Sequence, residues 1–273
     1  MIAAERRRRI TQWAAHHGSV SVSSLAKMLN VTENTVRSDL VRLDREGILV
    51  RSYGGAVIRT QSDPCPPYRQ IKDTHTQEKA WIGAAAVRYV PTSGSMYIGA
   101  GSTTYQLAIR IPEGRHIDVV VNSPLIASYL VSNFIGSVHI LGGKINPDSQ
   151  ASDCSWSADI LGMLHWDVCF VGVEGIDTDR GITAATVAGA LSEVKILEHS
   201  KKVVVLCDSS KFGRISHARV GAVSLIDVLI TDPGISPGIV KDLTDRGVEV
   251  VVAGPNDAEP IPTIEPLEAG DRI

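Results

Sequence analysis

Residues 98–104 read Ile-Gly-Ala-Gly-Ser-Thr-Thr: two glycines and three hydroxyls behind an apolar run and ahead of a helix-like stretch. That is chemistry for an anion. Glycine lets a ligand approach the backbone, free N–H groups at a helix start carry partial positive charge, and Ser102, Thr103 and Thr104 add donors. Four later β-prone runs end in comparable segments: Asn122-Ser123, Gly142-Gly143-Lys144, Gly172 to Asp177 and Asp208-Ser209-Ser210-Lys211. If Lys144 and Lys211 converge on the amides of the first loop, the site suits a phosphorylated small molecule. Its lining would then be Gly99, Gly101, Ser102, Thr103, Thr104, Asn122, Gly143, Lys144, Asp208 and Lys211. The loop lacks the third glycine of GxGxxG and the Gly-Lys-Ser/Thr of a P-loop, which excludes both of those phosphate motifs.

Metal chemistry and redox chemistry find no support. Cys65, Cys154, Cys169 and Cys207 form no CxxC pair and read as reduced thiols in a cytoplasmic protein. The eight histidines, two of them at a helix end (His16, His17), have no ligand spacing. No catalytic residue, metal or cofactor is assigned.

The elements that must position these loops alternate. Apolar β-prone runs span Ser95–Ala100, Asp118–Asn122, Ser137–Leu141, Trp166–Val173, Lys202–Cys207, Asp227–Thr231 and Val248–Ala253. Helix-like stretches span Gln77–Tyr89, Ser102–Ile111, Ser123–Phe134, Val187–Ser200 and Ile235–Arg246. Strands separated by helices predict a parallel, doubly wound α/β sheet, with a ligand outside the carboxyl ends of its strands.

The first sixty residues differ in kind. Ile10, Trp13 and Ala14 recur at helical spacing ahead of Gly18, and Trp13 is expected to pack between helices. A second helix over Ser23–Leu29 buries Leu25, Ala26 and Leu29, and Asn30-Val31 makes a turn. Thr32 then caps a third helix whose buried stripe is Val36, Leu40 and Leu43 and which ends at Gly47. This outlines a helix-turn-helix. The third helix turns Asn34, Thr35, Arg37, Ser38 and Arg42 outward, side chains suited to base edges and phosphates in a major groove. ILVRSYGGAVI adds a β wing around Gly54-Gly55, where Arg51 and Tyr53 could reach the DNA backbone or minor groove.

Charge follows the same division. Residues 1–59 carry ten Lys and Arg against five acids, net +5; the remainder carries 17 against 25, net −8. A cationic module that meets a polyanion is thus joined to a body that does not. The expected organisation is a DNA-binding head over 1–58, a Pro-rich linker over 59–75, an α/β body over 76–254 and a disordered tail over 255–273. No uncharged apolar stretch approaches membrane-spanning length.

VSVSSLAKMLNVTENTVRSDLVRLDREGILVRSYGGAV resembles the N-terminal domain of the DeoR family of bacterial transcriptional regulators, with its T-[IV]-R-R-D-L core and R-x-x-G-G-A wing. Ser38 stands where the family usually has a second Arg. EKAWIGAAA, GAGSTT, VVNSPLIA, HILGGK, FVGVEGID with RGIT, SEVK and CDSSKFG resemble, in order, landmarks of that family's C-terminal sensor domain, itself similar to ribose-5-phosphate isomerase. The resemblance implies that Gly101, Ser102, Thr103, Thr104 and Lys211 hold phosphate or hydroxyl groups, with Glu193 and Lys195 lining or bracing the site. Many members have Asp where this chain has Gly99. The implied protein is a repressor of carbohydrate metabolism, a homo-oligomer on double-stranded operator DNA, controlled by a phosphorylated sugar or related metabolite. The alternative is a sugar-phosphate isomerase-like enzyme with an accessory DNA-binding domain, using Glu174, Asp177 or Glu193 as base. Against it, Gly172-Val173-Glu174-Gly175 replaces the isomerase's acid-rich loop and its Lys-Gly-Gly-Gly segment has no counterpart; Glu174 and Asp177 are read as loop-capping or solvated.

Overall fold

The computed structural model describes residues 3–45, 48–52, 54–58, 74–113, 115–133, 136–146, 149–153 and 158–257. The N-terminal unit consists of α1 (Ala3–His17), β1 (Ser19–Ser21), α2 (Val22–Leu29), α3 (Glu33–Arg45), β2 (Leu49–Ser52) and β3 (Gly55–Ile58). Its core joins Ile10 and Ala14 of α1 to Leu25 and Leu29 of α2 and to Val36, Leu40 and Leu43 of α3. Asn30 ends α2 in the left-handed region (φ 52°), its N–H reaching the carbonyls of Ala26 and Lys27. The strands form an antiparallel sheet in the order β1-β3-β2. At its turn Gly54 has φ 78°, and a Cβ on Gly55 would lie 2.0 Å from the Val20 carbonyl, so both wing glycines are structurally required. Strand β1 was not expected from the sequence; three residues are too few to show alternation. Trp13 corrects another expectation. It is 43% exposed and stacks on His17 with ring centroids 4.2 Å apart.

The second unit runs α4 (Thr76–Ala86), β4 (Ser93–Ile98), α5 (Ser102–Ala108), β5 (His116–Val121), α6 (Pro124–Asn133) and β6 (Ser137–Ile140). After a hairpin of β7 (Lys144–Ile145) and β8 (Ser152–Asp153) come α7 (Ala158–Leu161), β9 (Val168–Gly172), β10 (Gly175–Asp177), β11 (Gly181–Ala184) and α8 (Val187–Glu198). It closes with β12 (Val203–Leu206), β13 (Ala218–Gly221), β14 (Val228–Thr231), α9 (Pro237–Asp245) and β15 (Glu249–Val252). Among the described residues, seven strands form one parallel sheet in the order β15-β14-β12-β9-β4-β5-β6. Its strands alternate between two cores: Met96, Ile98 and Phe170 face one, Tyr97, Cys169 and Val171 the other. Burial on both faces is why these strands read as continuous apolar runs.

A second, antiparallel sheet, β10-β11-β13, occupies residues for which the sequence predicts no strand, because its strands are only three or four residues long. α8 packs against β11 and β13. Pro255–Asp257, expected to open the disordered tail, instead forms a 3-10 turn in which Asp257 accepts the Gly254 N–H at 2.8 Å. Tyr53, Gly47, Phe134, Cys65, Cys154, Trp156, residues 59–73 and residues 258–273 lie outside the described residues. Among the described residues no helix is long and apolar enough to cross a membrane.

Candidate functional site

The strand order reverses direction once. From β4 the chain moves outward through β5 to β6, then returns to β9 on the other side of β4 and proceeds to β12, β14 and β15. The crevice between the carboxyl ends of β4 and β9 is therefore the switch point, where doubly wound sheets take their ligands. Gly99–Gly101 follows β4, Val173-Glu174 follows β9, and Asp208–Lys211 follows the adjacent β12.

These loops are stitched across the top of the sheet. The Gly99 N–H donates to Phe170 O at 2.9 Å, and the Ala100 N–H to Asn122 Oδ1 at 2.7 Å. Thr104 Oγ1 donates to Gly99 O at 2.6 Å and lies 3.1 Å from Gly101 O. Asn122 and Thr104 thus brace the loop, and the amides at 99 and 100 are already engaged. What the loop still presents is Gly101, Ser102 and the start of α5, where no side chain caps the helix. A Cβ at Gly99 would meet nothing closer than 3.5 Å, so the backbone does not demand glycine there.

Lys211 closes the far side. It is only 9% exposed, and its Nζ stands 3.8 Å from Glu174 Oε2, an ion pair too long for a hydrogen bond. Asp208 caps its turn, accepting from the Ser210 N–H at 3.1 Å and from the Ser210 hydroxyl. Burial alone would raise the Asp208 pKa; Lys211, the Ser210 hydroxyl, His75 and Lys79 outweigh it and hold the group below its ordinary value. Opposite, on α8, burial and then the Glu174 charge push Glu193 up to about 8, so at neutral pH its carboxyl is largely protonated and can donate. Lys211, Glu174 and Glu193 thus form one largely buried group of a cation and two acids, and the loop after β4 adds an uncapped helix start at the same end of the sheet.

Gly143 and Lys144 open the β7–β8 hairpin, whose Ser152 N–H donates to Asn122 O at 2.7 Å at the end of β5. They follow the edge strand β6, four strand spacings from β12, about 19 Å at ~4.8 Å per strand. The expected convergence of Lys144 with Lys211 finds no support in that order. Lys195 is half-buried on α8. Two contributors were missed from sequence. Glu174 pairs with Lys211 in place of the loop-capping or solvated role its sequence suggests; by contrast Asp177 does cap a turn, its Oδ1 accepting the Asp179 and Arg180 N–H groups at 3.0 and 2.8 Å. Lys79, 2% exposed, donates to Thr74 O at 2.7 Å and lies within electrostatic reach of Asp208. Its position on the buried stripe with Ile82, Gly83 and Ala86 was the available signal.

In the N-terminal unit, Thr32 Oγ1 accepts the Thr35 N–H at 3.2 Å and opens α3 as its cap. Asn34, Arg37, Ser38 and Arg42 are exposed, and Thr35 is half-buried. Arg37 is held by Glu33 Oε2 at 2.6 Å and Asn34 Oδ1 at 3.1 Å. Arg51 lies on β2 and Gly54 at the wing turn.

Comparison with known proteins follows this division. The DeoR-like helix-turn-helix domain matches residues 6–62 and the DeoR C terminal sensor domain matches residues 74–233. A putative aga operon transcriptional repressor of Escherichia coli O157:H7 is 30% identical over 92% of this chain and 94% of its own length. The glycerol-3-phosphate regulon repressor of Escherichia coli K12 is 24% identical over 90% and 97%. Among solved structures, ribose 5-phosphate isomerase A from Neisseria gonorrhoeae aligns over 51% of this chain and 53% of its own, 20% identical, with a TM-score of 0.36.

Proposed function

The chain belongs to the DeoR family of transcriptional regulators, and from that premise we propose that it represses a carbohydrate-metabolism operon under the control of a phosphorylated sugar or related metabolite. The observation that carries the ligand half is the buried Lys211, 3.8 Å from Glu174, in the loop after β12 at the same carboxyl end of the sheet as the uncapped start of α5. A desolvated cation 3.8 Å from its partner gains from a ligand anion that completes its hydrogen bonds. Gly101, Ser102 and Lys211 hold the phosphate, and the neutral Glu193 donates to a ligand oxygen. The DNA half is α3 with its exposed Asn34, Arg37, Ser38 and Arg42. Two copies present two such helices to a two-fold operator, half-sites about 34 Å apart. The setting is the cytoplasm, consistent with the buried free thiols of Cys169 and Cys207.

The isomerase reading is less favoured, since Asp177 is engaged by the backbone of its own turn and Glu193 is mostly protonated at neutral pH, unready to act as base. A thermal-shift screen of the full chain against phosphorylated sugars, followed by DNA retention from a randomised duplex library with and without each hit, tests the proposal. A stabilising ligand at 100 times its Kd adds about 2.7 kcal/mol. Lys211→Ala is expected to keep DNA retention and lose the ligand's effect. Turnover of a pentose or hexose phosphate, or a library from which no sequence is enriched, overturns the reading.

A further inference from the structure

The run Arg6–Arg9 reads as a cationic patch, yet the structure divides it. Arg9 pairs on the surface with Glu5 at 3.4 Å, whereas Arg6 turns inward from α1 to α3. There its Nε and Nη2 donate to the two carboxylate oxygens of Asp39, the Nη2 bond at 3.1 Å, and Arg7 Nη1 stands 3.7 Å from the same carboxylate. Asp39 is 4% exposed. This is a two-pronged, largely buried pair between residues 33 positions apart.

Asp39 borders the buried stripe of α3. On a helix the residues four before and three after it are its surface neighbours: Thr35 and Arg42, two of the residues expected to contact DNA. The stripe itself, Val36, Leu40 and Leu43, holds α3 against the core by apolar burial, which is non-directional and tolerates small rotations of the helix about its axis. A bidentate guanidinium–carboxylate pair tolerates much less, because both donors and both acceptors must stay in plane.

We infer that Arg6 and Asp39 are positioning residues that fix the rotation of the recognition helix, and so decide which base edges Thr35, Arg37, Ser38 and Arg42 can reach. The inference rests on the DNA-reading role proposed above. Arg6 and Asp39 contribute sequence selectivity without touching DNA, and random-sequence affinity, which depends on phosphate charge, is left to the exposed cations.

The test uses the full chain and three variants: Arg6→Lys, which keeps the charge but not the fork; Asp39→Asn, which keeps the shape; and the exchange Arg6→Asp with Asp39→Arg. Each is put through selection from a randomised duplex library, retention of a fixed random-sequence duplex at several salt concentrations, and a thermal melt. Arg6→Lys is expected to melt as a folded protein, hold random duplex within about twofold of the parent, and lose at least about tenfold in preference for the parent's selected sequence. The exchange is expected to recover part of that preference. Should Arg6→Lys and Asp39→Asn select the parent's sequence as strongly as the parent does, or lose random and selected duplex in equal measure, the positioning role is wrong. A parent that selects nothing overturns the DNA-reading role itself, and the positioning role with it.

Discussion

Glu193 shows how one residue's surroundings set its chemistry. Its carboxyl titrates at about 8 in the fold against an ordinary 4.5, burial being the larger cause and Glu174 the smaller. A raised folded pKa favours the protonated form, so its contribution to stability is complete below the unfolded value and is lost as pH climbs from about 4.5 through 8. Glu193→Gln keeps the neutral shape and removes the titration. The variant should melt close to the parent at pH 5 and above it at pH 8.5, with a flatter pH profile between; parallel profiles would assign Glu193 an ordinary carboxylate pKa. Lys211 is the complementary case, a buried cation set between the charges of Glu174 and Asp208. Reading residues in isolation placed Glu174 among the solvated acids, since nothing in its local sequence announces a lysine 37 positions later.

At the scale of elements, α4 and α5 pack closely enough that side chains are excluded between them. A Cβ on Gly83 would lie 2.5 Å from the carbonyl carbon of Gln106 and 2.8 Å from its oxygen, both backbone atoms that can move only with α5. Alanine would gain about 1 kcal/mol of helix propensity at this position. Overpacking costs typically about 1–3 kcal/mol, so the clash should win. Gly83→Ala is expected to lower the melting temperature, and, because α5 carries Thr103 and Thr104, to weaken ligand-induced stabilisation as well. An unchanged melting temperature would mean that the two helices can separate at little cost. The wing obeys the same steric logic: Gly55 lies against the Val20 carbonyl, so the short β1 strand explains a glycine that the wing alone does not.

For the whole molecule, the reading requires two sites on one chain whose occupancies are coupled. If a metabolite lowers operator affinity by some factor, the operator must lower metabolite affinity by the same factor, commonly about 5–150-fold. Titrating DNA at saturating metabolite, and metabolite at saturating DNA, measures both. A factor of one in each direction would mean that the cleft binds its ligand without regulating the head. The charge division, +5 over residues 1–59 and −8 over the rest, further predicts DNA retention that falls steeply with salt.

Local sequence by itself determined the helix-turn-helix, the capped recognition helix and the succession of seven sheet strands, because each is written in short-range terms: a 3.6-residue apolar stripe, a Thr at a helix start, a continuous apolar run bounded by glycine. It also marked the loops after β4 and β12 by their glycine and hydroxyl content, and the strand order places both at the carboxyl end of one sheet. Tertiary structure alone decided the rest: that Asn122 and Thr104 brace the loop, that Glu174 and Lys79 belong with Lys211 and Asp208, that Lys144 lies in a hairpin beyond the edge strand β6, and that Arg6 reaches Asp39. Those pairings depend on strand order and helix packing, which bring together residues far apart in the chain by burying surface that no local pattern distinguishes.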